Sequence, residues 1–421
     1  MKITSFRNAL GPGLIMAGAA IGVSHLVQST RAGAEYGLSL AVLVIVGCAV
    51  KYPFLEFGPR WAAATGENLL AGYLRLGRWA LGTFVFLTLA TMFIVLASVT
   101  LVTAGLTGLL FGLDASPLAL AVLVLAVCMV ILAWGQYRGL DRLMKIIMAV
   151  LALATLVALI LAAAGTEDWS RLAVDPADPA LWSGAGLAFV LALLGWMPIP
   201  LDAAAWHSLW TLERAGDTGE LASVRHAGLD FRIGYVGATL MAVAFLALGA
   251  LVMHGTGAEF SGSAVAFSGQ LVELYAASLG PWARPLIGFA ALATMFSTTL
   301  VVADAYPRVL RALLELRQPG HDAHARMHRA RYLSALGLTS AGALAVIAWF
   351  GHAFTALIDF TTTVSFLAAP IIAALTFRLV TSRHMPADAR PGPVLRGTAW
   401  VGMVFLSAFS LLWVAWRLGL T

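Results

Sequence analysis

The sequence predicts an all-α integral membrane protein with about eleven transmembrane helices. Of its 421 residues, 60% are hydrophobic and only 11% are charged, whereas a soluble globular protein carries roughly 25% charged residues. Such a shortage of charge is typical of a chain that lies mostly in lipid. The hydrophobic residues also fall into eleven apolar runs, each long enough to cross the ~30 Å of a bilayer's hydrocarbon core.

These runs follow one another with short polar connections along the whole chain. They occupy Leu10–Ala34, Gly37–Pro59, Trp79–Phe111, Pro117–Trp134, Leu143–Ala164, Gly184–Leu212, Ile233–His254, Pro285–Leu313, Tyr332–Phe350, Phe354–Leu379 and Gly397–Trp416. The sequence therefore predicts a single transmembrane domain in contact with the lipid bilayer.

The distribution of positive charge predicts how the chain crosses the membrane. With the N-terminus in the cytoplasm, all 26 Lys and Arg fall on cytoplasmic segments except Arg31, Arg171, Arg284 and Arg417 on the opposite side and Lys51 inside the second span. Because cytoplasmic loops are enriched in Lys and Arg, this pattern predicts a multi-pass protein of a bacterial-type inner (plasma) membrane. Its N-terminus would be cytoplasmic and its C-terminus on the opposite side. The isoelectric point near 9.5 is then a sign of topology, and we expect no nucleic-acid partner.

Few residues indicate covalent or cofactor chemistry. Cys48 and Cys128 lie in apolar runs and are interpreted as packing residues. The chain has no nucleotide-binding loop and no zinc motif, so we expect neither an enzyme nor a cofactor. A connection with three histidines (His321, His324 and His328) has a possible metal-binding interpretation, but a solvated positive loop is favoured.

Two of the predicted spans contain residues that interrupt a helix. In the first, Gly18 and Gly22 weaken the helix and Ser24 is a natural cap for a new one. In the sixth, Pro198 and Pro200 remove two backbone donors. A break at membrane depth is tolerated only where protein or water surrounds it. We therefore expect helix interruptions near Gly18–Ser24 and Trp196–Pro200, facing each other across a central site.

The spacing of these breaks predicts an internal repeat. The broken spans are five helices apart, so two five-helix halves have opposite orientations in the membrane. The predicted halves are residues 8–165 and 182–380, followed by an extra helix at 397–416. Inverted repeats with paired broken helices are typical of secondary transporters, which bind substrate near the midplane. The alternative is a structural membrane protein with ordinary Pro and Gly kinks.

Several short motifs resemble the Nramp divalent-metal transporters in order and spacing. They are Gly11-Pro12-Gly13, Gly33–Gly37, Ala64–Leu69, Leu109–Gly112, Met197-Pro198 and Ala291–Leu300. The resemblance covers essentially the whole chain, and it implies a LeuT-like fold with a 5+5 inverted repeat plus one extra helix.

The residues that the resemblance would assign to metal and proton binding are absent. The family's metal-binding Asp-Pro-Gly-Asn motif falls on Gly22–His25, and its His and Asn in helix 6 fall on Ile199 and Pro200. The acidic pair associated with proton movement falls on Leu96 and Val99. In helix 10, Ala368 stands where a Gln is expected. We therefore predict no metal-ligand set of the family's type.

The candidate substrate site surrounds the two predicted breaks. It comprises Gly22, Ser24, His25, Trp196, Met197, Ile199 and Asp202. Two half-helix N-termini, at Ser24 and near 200–203, would present unpaired N–H groups with a partial positive charge. Without the family's carboxylate, this centre favours an anion or a polar neutral solute over a dication.

Several of these residues have structural interpretations as well. Ser24 can simply cap a half-helix, His25 can be a satisfied buried histidine, and Met197 can be packing. Asp202 either complements a helix dipole or carries a coupling H⁺ or Na⁺. Inside the second span, Lys51 and Glu56 are functional candidates, although snorkelling or a structural ion pair explains them equally well.

The sequence thus supports an Nramp-like secondary active transporter of a small inorganic ion, with a small anion such as bicarbonate preferred. A divalent-cation transporter (Mn, Fe or Mg) with a site made from carbonyls, Met197 and Asp202 is the alternative. A non-transporting membrane scaffold or sensor on the same fold is a third.

Overall fold

A computed structural model describes residues 11–134, 137–166, 169, 172, 179–257, 260–316 and 325–419. These residues form helices and connecting turns, and no β-strand occurs among them. Most of residues 167–178 lie outside the described residues, as do His321 and His324. His328 is described, and its Nδ1 lies 2.6 Å from a carboxylate oxygen of Glu315.

Sixteen helices follow one another along the described chain. They are α1 Pro12–Ala20, α2 Ser24–Tyr36, α3 Ala41–Thr65, α4 Leu69–Leu76, α5 Arg78–Phe111, α6 Pro117–Trp134, α7 Tyr137–Ala164, α8 Pro179–Trp182, α9 Gly184–Trp196, α10 Ala203–Thr218, α11 Val224–Met253, α12 Ala264–Leu279, α13 Ala283–Glu315, α14 Ala325–Phe350, α15 Phe354–Thr381 and α16 Pro393–Arg417. The first turns of α2, through Ser29, are wound as a π-helix.

The helices correspond to the predicted spans. Eight of them are individually long and apolar enough to cross a membrane, and the bent pair α1 and α2 makes a ninth. The remaining two predicted spans fall on α7 and on the pair α9 and α10. Helices α4 and α12 lie in connections where the sequence analysis placed no helix.

Both predicted interruptions are confirmed. Helix α1 ends at Ala20 and α2 begins at Ser24, with an angle of 42° between their axes. Helix α9 ends at Trp196 and α10 begins at Ala203, because Pro198 and Pro200 have no N–H with which to continue the helical ladder. The helix resumes where the N–H of Ala203 reaches the carbonyl oxygen of Pro200, at 3.2 Å.

The N-terminus of α1 is capped by a side chain from another helix. The carboxylate of Asp230, on α11, accepts hydrogen bonds from the backbone N–H of Gly11 at 3.0 Å and of Gly13 at 2.6 Å. A carboxylate at this position satisfies orphan donors and complements the helix dipole. Asp230 lay outside the predicted seventh span, yet it is buried and fixes α1 against α11.

Glycines allow the first span to pack closely along α11. A Cβ atom at Gly33 would collide with the carbonyl oxygen of Leu246, and a Cβ at Gly249 would collide with that of Thr30. The two helices therefore approach to backbone contact at these positions. This contact holds α2 beside the long helix α11 and leaves its opposite face for the site.

We expect Gly33→Ala to destabilise the protein, because the new methyl group meets rigid backbone and the two helices must separate. Overpacking of this kind costs about 1–3 kcal/mol, so the Tm of a chain of this length should fall by about 1–3 °C. Thermal unfolding in detergent, followed by tryptophan fluorescence, measures this. Gly82→Ala is the matched control, since a Cβ at Gly82 in α5 meets nothing within 4 Å. Equal Tm values for the two variants would contradict the close contact.

Candidate functional site

A small cavity lies between the two helix breaks. Its wall is formed by Ala19, Val23, Ser24, Val95, Val99, Trp196, Pro198, Ile199, Pro200, Trp206, Thr298 and Val302. About 20 Å³ is open to the centre of a water-sized molecule, which is enough for one water or a small ion. None of the lining residues carries a charged side chain.

Two continuous helices complete the cavity opposite the breaks. Helix α5 contributes Val95 and Val99, and helix α13 contributes Thr298 and Val302. The hydroxyl of Thr298 donates a hydrogen bond to the carbonyl oxygen of Gly18 at 3.0 Å. The end of α1 is thereby tied to α13, and a freed carbonyl of the broken helix is satisfied.

Of the two polar candidates in the first break, only Ser24 lines the cavity. Its hydroxyl lies 2.8 Å from the carbonyl oxygen of Ala20 and 3.2 Å from that of Pro198 in the other break. His25 is fully buried, and its Nε2–H donates to the carbonyl oxygen of Ala238 on α11 at 2.8 Å. The Nδ1 of His25 lies 2.8 Å from the Ser24 hydroxyl. His25 therefore orients Ser24 from behind the cavity wall.

The candidates in the second break are divided in the same way. Trp196 and Ile199 line the cavity, and the indole N–H of Trp196 donates to Ser365 on α15 at 2.8 Å. Met197 is buried and is not among the residues of the cavity wall. Its sulfur lies 3.9 Å from the hydroxyl of Ser29. The thioether thus packs against α2.

Asp202, the acid nearest to the second break in sequence, is also absent from the cavity wall. It precedes α10, and its carboxylate accepts a hydrogen bond from the hydroxyl of Tyr306 on α13 at 3.2 Å. A carboxylate at this position complements the N-terminal dipole of α10. The acid is therefore held beside the cavity and contributes no oxygen to its wall.

Gly22 marks the closest approach of the first break to α13. A Cβ atom at Gly22 would lie 2.6 Å from Oγ1 and 2.7 Å from Cγ2 of Thr298. No side chain fits at this position unless Thr298 moves. Gly22 thus shapes the backbone beside the cavity, and a substitution there would change packing as well as charge.

Trp206 is a cavity residue that the sequence analysis missed. It lies in the first turns of α10, and its ring packs edge-on against Tyr306 with centroids 5.1 Å apart. Its Nε1–H is buried and has no hydrogen-bond partner among the described residues. Indole is a donor only, so this group requires an acceptor that the described chain does not supply. No sequence pattern marked Trp206, because the chain contains 13 tryptophans.

The two ionisable candidates of the second span have different partners. Glu56 forms a bidentate ion pair with Arg60, one turn later in α3, at 2.7–3.0 Å. These contacts agree with the interpretation of Glu56 as part of a structural ion pair. Lys51 does not snorkel to water. Its ammonium donates to the carbonyl oxygens of Leu194 and Gly195, at 2.5 and 2.8 Å, at the C-terminal end of α9.

Ion-pair networks join the half-helices to other helices on both sides of the cavity. Toward the predicted external side, Arg31 on α2 forms a bidentate pair with Asp359 on α15, and Gln28 donates to the same carboxylate at 3.0 Å. Toward the predicted cytoplasmic side, Glu213 on α10 pairs with Arg308 and Arg311 on α13. Both half-helices that follow a break are thereby fixed to neighbouring helices.

In the part of the chain that the structure describes, no cluster of three or more His, Cys, Asp or Glu side chains is arranged to hold a metal ion. Cys48 and Cys128 are free and buried. The lining residues instead include two with hydroxyls, Ser24 and Thr298, and Trp206, whose indole N–H has no partner among the described residues, within an otherwise apolar wall.

Known proteins resemble this chain in both sequence and fold. The family model described as natural resistance-associated macrophage protein-like (Nramp) matches residues 13–415. An uncharacterised protein of Pasteurella multocida (strain Pm70) is 35% identical over 416 residues, which is 98% of this chain and 93% of that protein.

Solved structures share the fold at low sequence identity. A mutant of the manganese transporter of Eremococcus coleocola superposes with a TM-score of 0.73 at 17% identity, over 100% of this chain and 90% of that one. Mhp1, a nucleobase-cation-symport-1 family transporter, superposes with a TM-score of 0.60 at 14% identity, over 97% and 93%. The structure thus has the LeuT-like fold that the sequence resemblance implied. Because the family model and the Pasteurella relative both cover nearly the whole chain, the chain is a member of the Nramp family and a multi-pass membrane transporter by fold.

Proposed function

We propose that this Nramp-family transporter moves a small inorganic anion, with bicarbonate the first candidate, through the cavity between its two broken helices. The observation that carries the proposal is that Trp206, which lines a cavity with no carboxylate among its lining residues, has a buried Nε1–H with no acceptor in the described part of the chain. An oxyanion supplies the missing acceptor. A cation would leave the N–H unpaired and would lie near its positive end.

The wider electrostatics of the site support the same proposal. The N-termini of α2 and α10 both lie at the breaks beside the cavity, where each helix dipole contributes a partial positive charge, while the first N–H groups of both helices donate to backbone carbonyls. The hydroxyls of Ser24 and Thr298 also line the cavity, and because each donates its one proton to a carbonyl, of Ala20 and of Gly18, it would have to rotate to donate to a ligand. A small planar anion accepts hydrogen bonds from such donors, and nitrate and formate share this property with bicarbonate.

A divalent cation is the second candidate, and the comparisons favour it. The chain belongs to the Nramp family, and one structural neighbour is a manganese transporter. For a dication to bind here, carbonyl oxygens, Met197 and Asp202 would have to supply its ligands. That arrangement requires Met197 to leave Ser29 and Asp202 to leave Tyr306, because neither side chain reaches the cavity wall.

The transport cycle that we infer follows from the predicted repeat. Residues 8–165 and 182–380 would move as the two inverted halves, and the ion pairs on either side of the cavity would break in turn. The N-terminus is proposed to be cytoplasmic, as the distribution of Lys and Arg indicates. A coupling ion, H⁺ or Na⁺, would drive accumulation of the substrate.

Uptake into proteoliposomes compares the two candidates directly. We expect saturable uptake of labelled bicarbonate, nitrate or formate and no saturable uptake of Mn²⁺ or Cd²⁺.

We expect Trp206→Phe to raise the KM for the anion about tenfold, because it removes one hydrogen bond to a charged acceptor and keeps the aromatic ring. Trp210→Phe is the matched control, since Trp210 lies one turn further along α10 and outside the cavity wall. If Mn²⁺ uptake is saturable and Trp206→Phe leaves it unchanged, the protein is a divalent-cation transporter and the anion proposal is wrong.

A negative charge in the cavity wall should abolish anion uptake. Gly22 is unsuitable for this substitution because of Thr298, whereas Val99 lines the cavity and is close in size to both Asp and Asn. We expect Val99→Asp to lower the uptake rate at least tenfold and Val99→Asn to keep most of it, since like charges at low dielectric repel by several kcal/mol. Equal loss in the two variants would mean that polarity or packing, and not charge, controls uptake. New Mn²⁺ uptake by Val99→Asp would show that the scaffold becomes metal-competent once an acid is present.

A further inference from the structure

Lys51 is a buried ammonium group with an unusual set of partners. It is 1% exposed and lies in the middle of α3, a helix that crosses the membrane. No carboxylate lies within 4 Å of its ammonium in the part of the chain that the structure describes, and Asp202 is the acid whose charge acts on it from further away. A charge in this position is costly unless other groups compensate it.

The compensation comes from the end of a broken helix. Leu194 and Gly195 are among the last residues of α9, and their carbonyl oxygens accept the two hydrogen bonds of the ammonium, at 2.5 and 2.8 Å. The last four carbonyls of a helix have no intrahelical partner and carry about half a negative charge. At membrane depth they must be satisfied by something other than water.

The packing of α3 against α9 brings the ammonium to this position. A Cβ atom at Gly47, one turn before Lys51 on the same face, would lie 2.5 Å from Cδ2 of Leu194. A Cβ at Gly195 would collide with the carbonyl oxygen of Thr362, so α9 is held between α3 and α15. The contact at Gly195 requires glycine because it meets backbone, whereas the contact at Gly47 meets the end of the Leu194 side chain.

In transporters built on broken helices, the C-terminal ends of half-helices and unwound carbonyls are where a coupling cation binds. Here a covalently attached ammonium occupies such an end. We propose that Lys51 is a tethered replacement for a free monovalent cation, so that the carbonyl end of α9 is permanently satisfied and this protein needs no Na⁺ at that position. The inference concerns the coupling ion and does not depend on which substrate is carried.

Lys51→Met tests the inference without any substrate, because methionine is similar in length and has neither charge nor donor. We expect the wild-type Tm in detergent to change by less than about 1 °C when NaCl replaces choline chloride at equal ionic strength. The Lys51→Met variant should have a lower Tm in choline chloride. Its Tm should rise saturably by at least about 3 °C with Na⁺, K⁺ or Li⁺, as expected for a ligand that binds the folded state only.

Three results would overturn the inference: a wild-type Tm that rises with Na⁺, wild-type uptake that requires a Na⁺ gradient, or a Lys51→Met Tm that no small cation changes.

If Lys51→Met yields no folded protein, Lys51→Ala can be expressed with ethylammonium or with tetramethylammonium. Recovery of folded protein by ethylammonium alone supports the inference, because only that ion has N–H donors. Equal recovery with both ions, or recovery with neither, contradicts it. Failure of the anion proposal would leave these Tm results unchanged, so the two can be judged separately.

Discussion

The unpaired backbone groups at the two helix breaks impose the constraint on which the rest of this structure depends. Inside a membrane, a free N–H or carbonyl costs several kcal/mol unless protein supplies a partner. At the first break, Thr298 and Ser24 bond the carbonyls of Gly18 and Ala20. At the second, Lys51 bonds the carbonyls of Leu194 and Gly195.

The same requirement explains why the site is surrounded by ionisable residues that do not enter it. Asp230 caps the N-terminus of α1, Asp202 lies before the N-terminus of α10, and Lys51 lies at the C-terminus of α9. Each charge is of the sign that complements the adjacent helix dipole. These three helix ends are thereby complemented by side chains outside the cavity, and the residues that line the cavity carry hydroxyls, indole rings and apolar groups.

This arrangement explains how proteins of one fold can have binding sites for different ions. A carboxylate in the first break would give the cavity a negative centre suited to a dication. In this chain the break carries Gly22 and Ser24 instead, and Thr298 fills the space that a side chain at position 22 would need. The loss of the acid and the close packing of Thr298 are consistent with each other. An acid could not be restored at position 22 without a second change at Thr298.

The sequence by itself determined that this is a helical membrane protein, its family and the position of both breaks. These follow from composition, from the absent N–H groups of Pro198 and Pro200, and from short-range motifs, all of which act locally along the chain. Only the tertiary structure decided which candidates line the cavity. His25, Met197 and Asp202 are next to cavity residues in sequence but face Ala238, Ser29 and Tyr306. Thr298 enters the site because a helix distant in sequence brings it there, and Trp206 enters it from the first turn of α10, next to the second break. The sequence also did not reveal the partner of Lys51, because 143 residues separate Lys51 from Leu194. The direction in which a buried side chain points is set by the helix that packs against it.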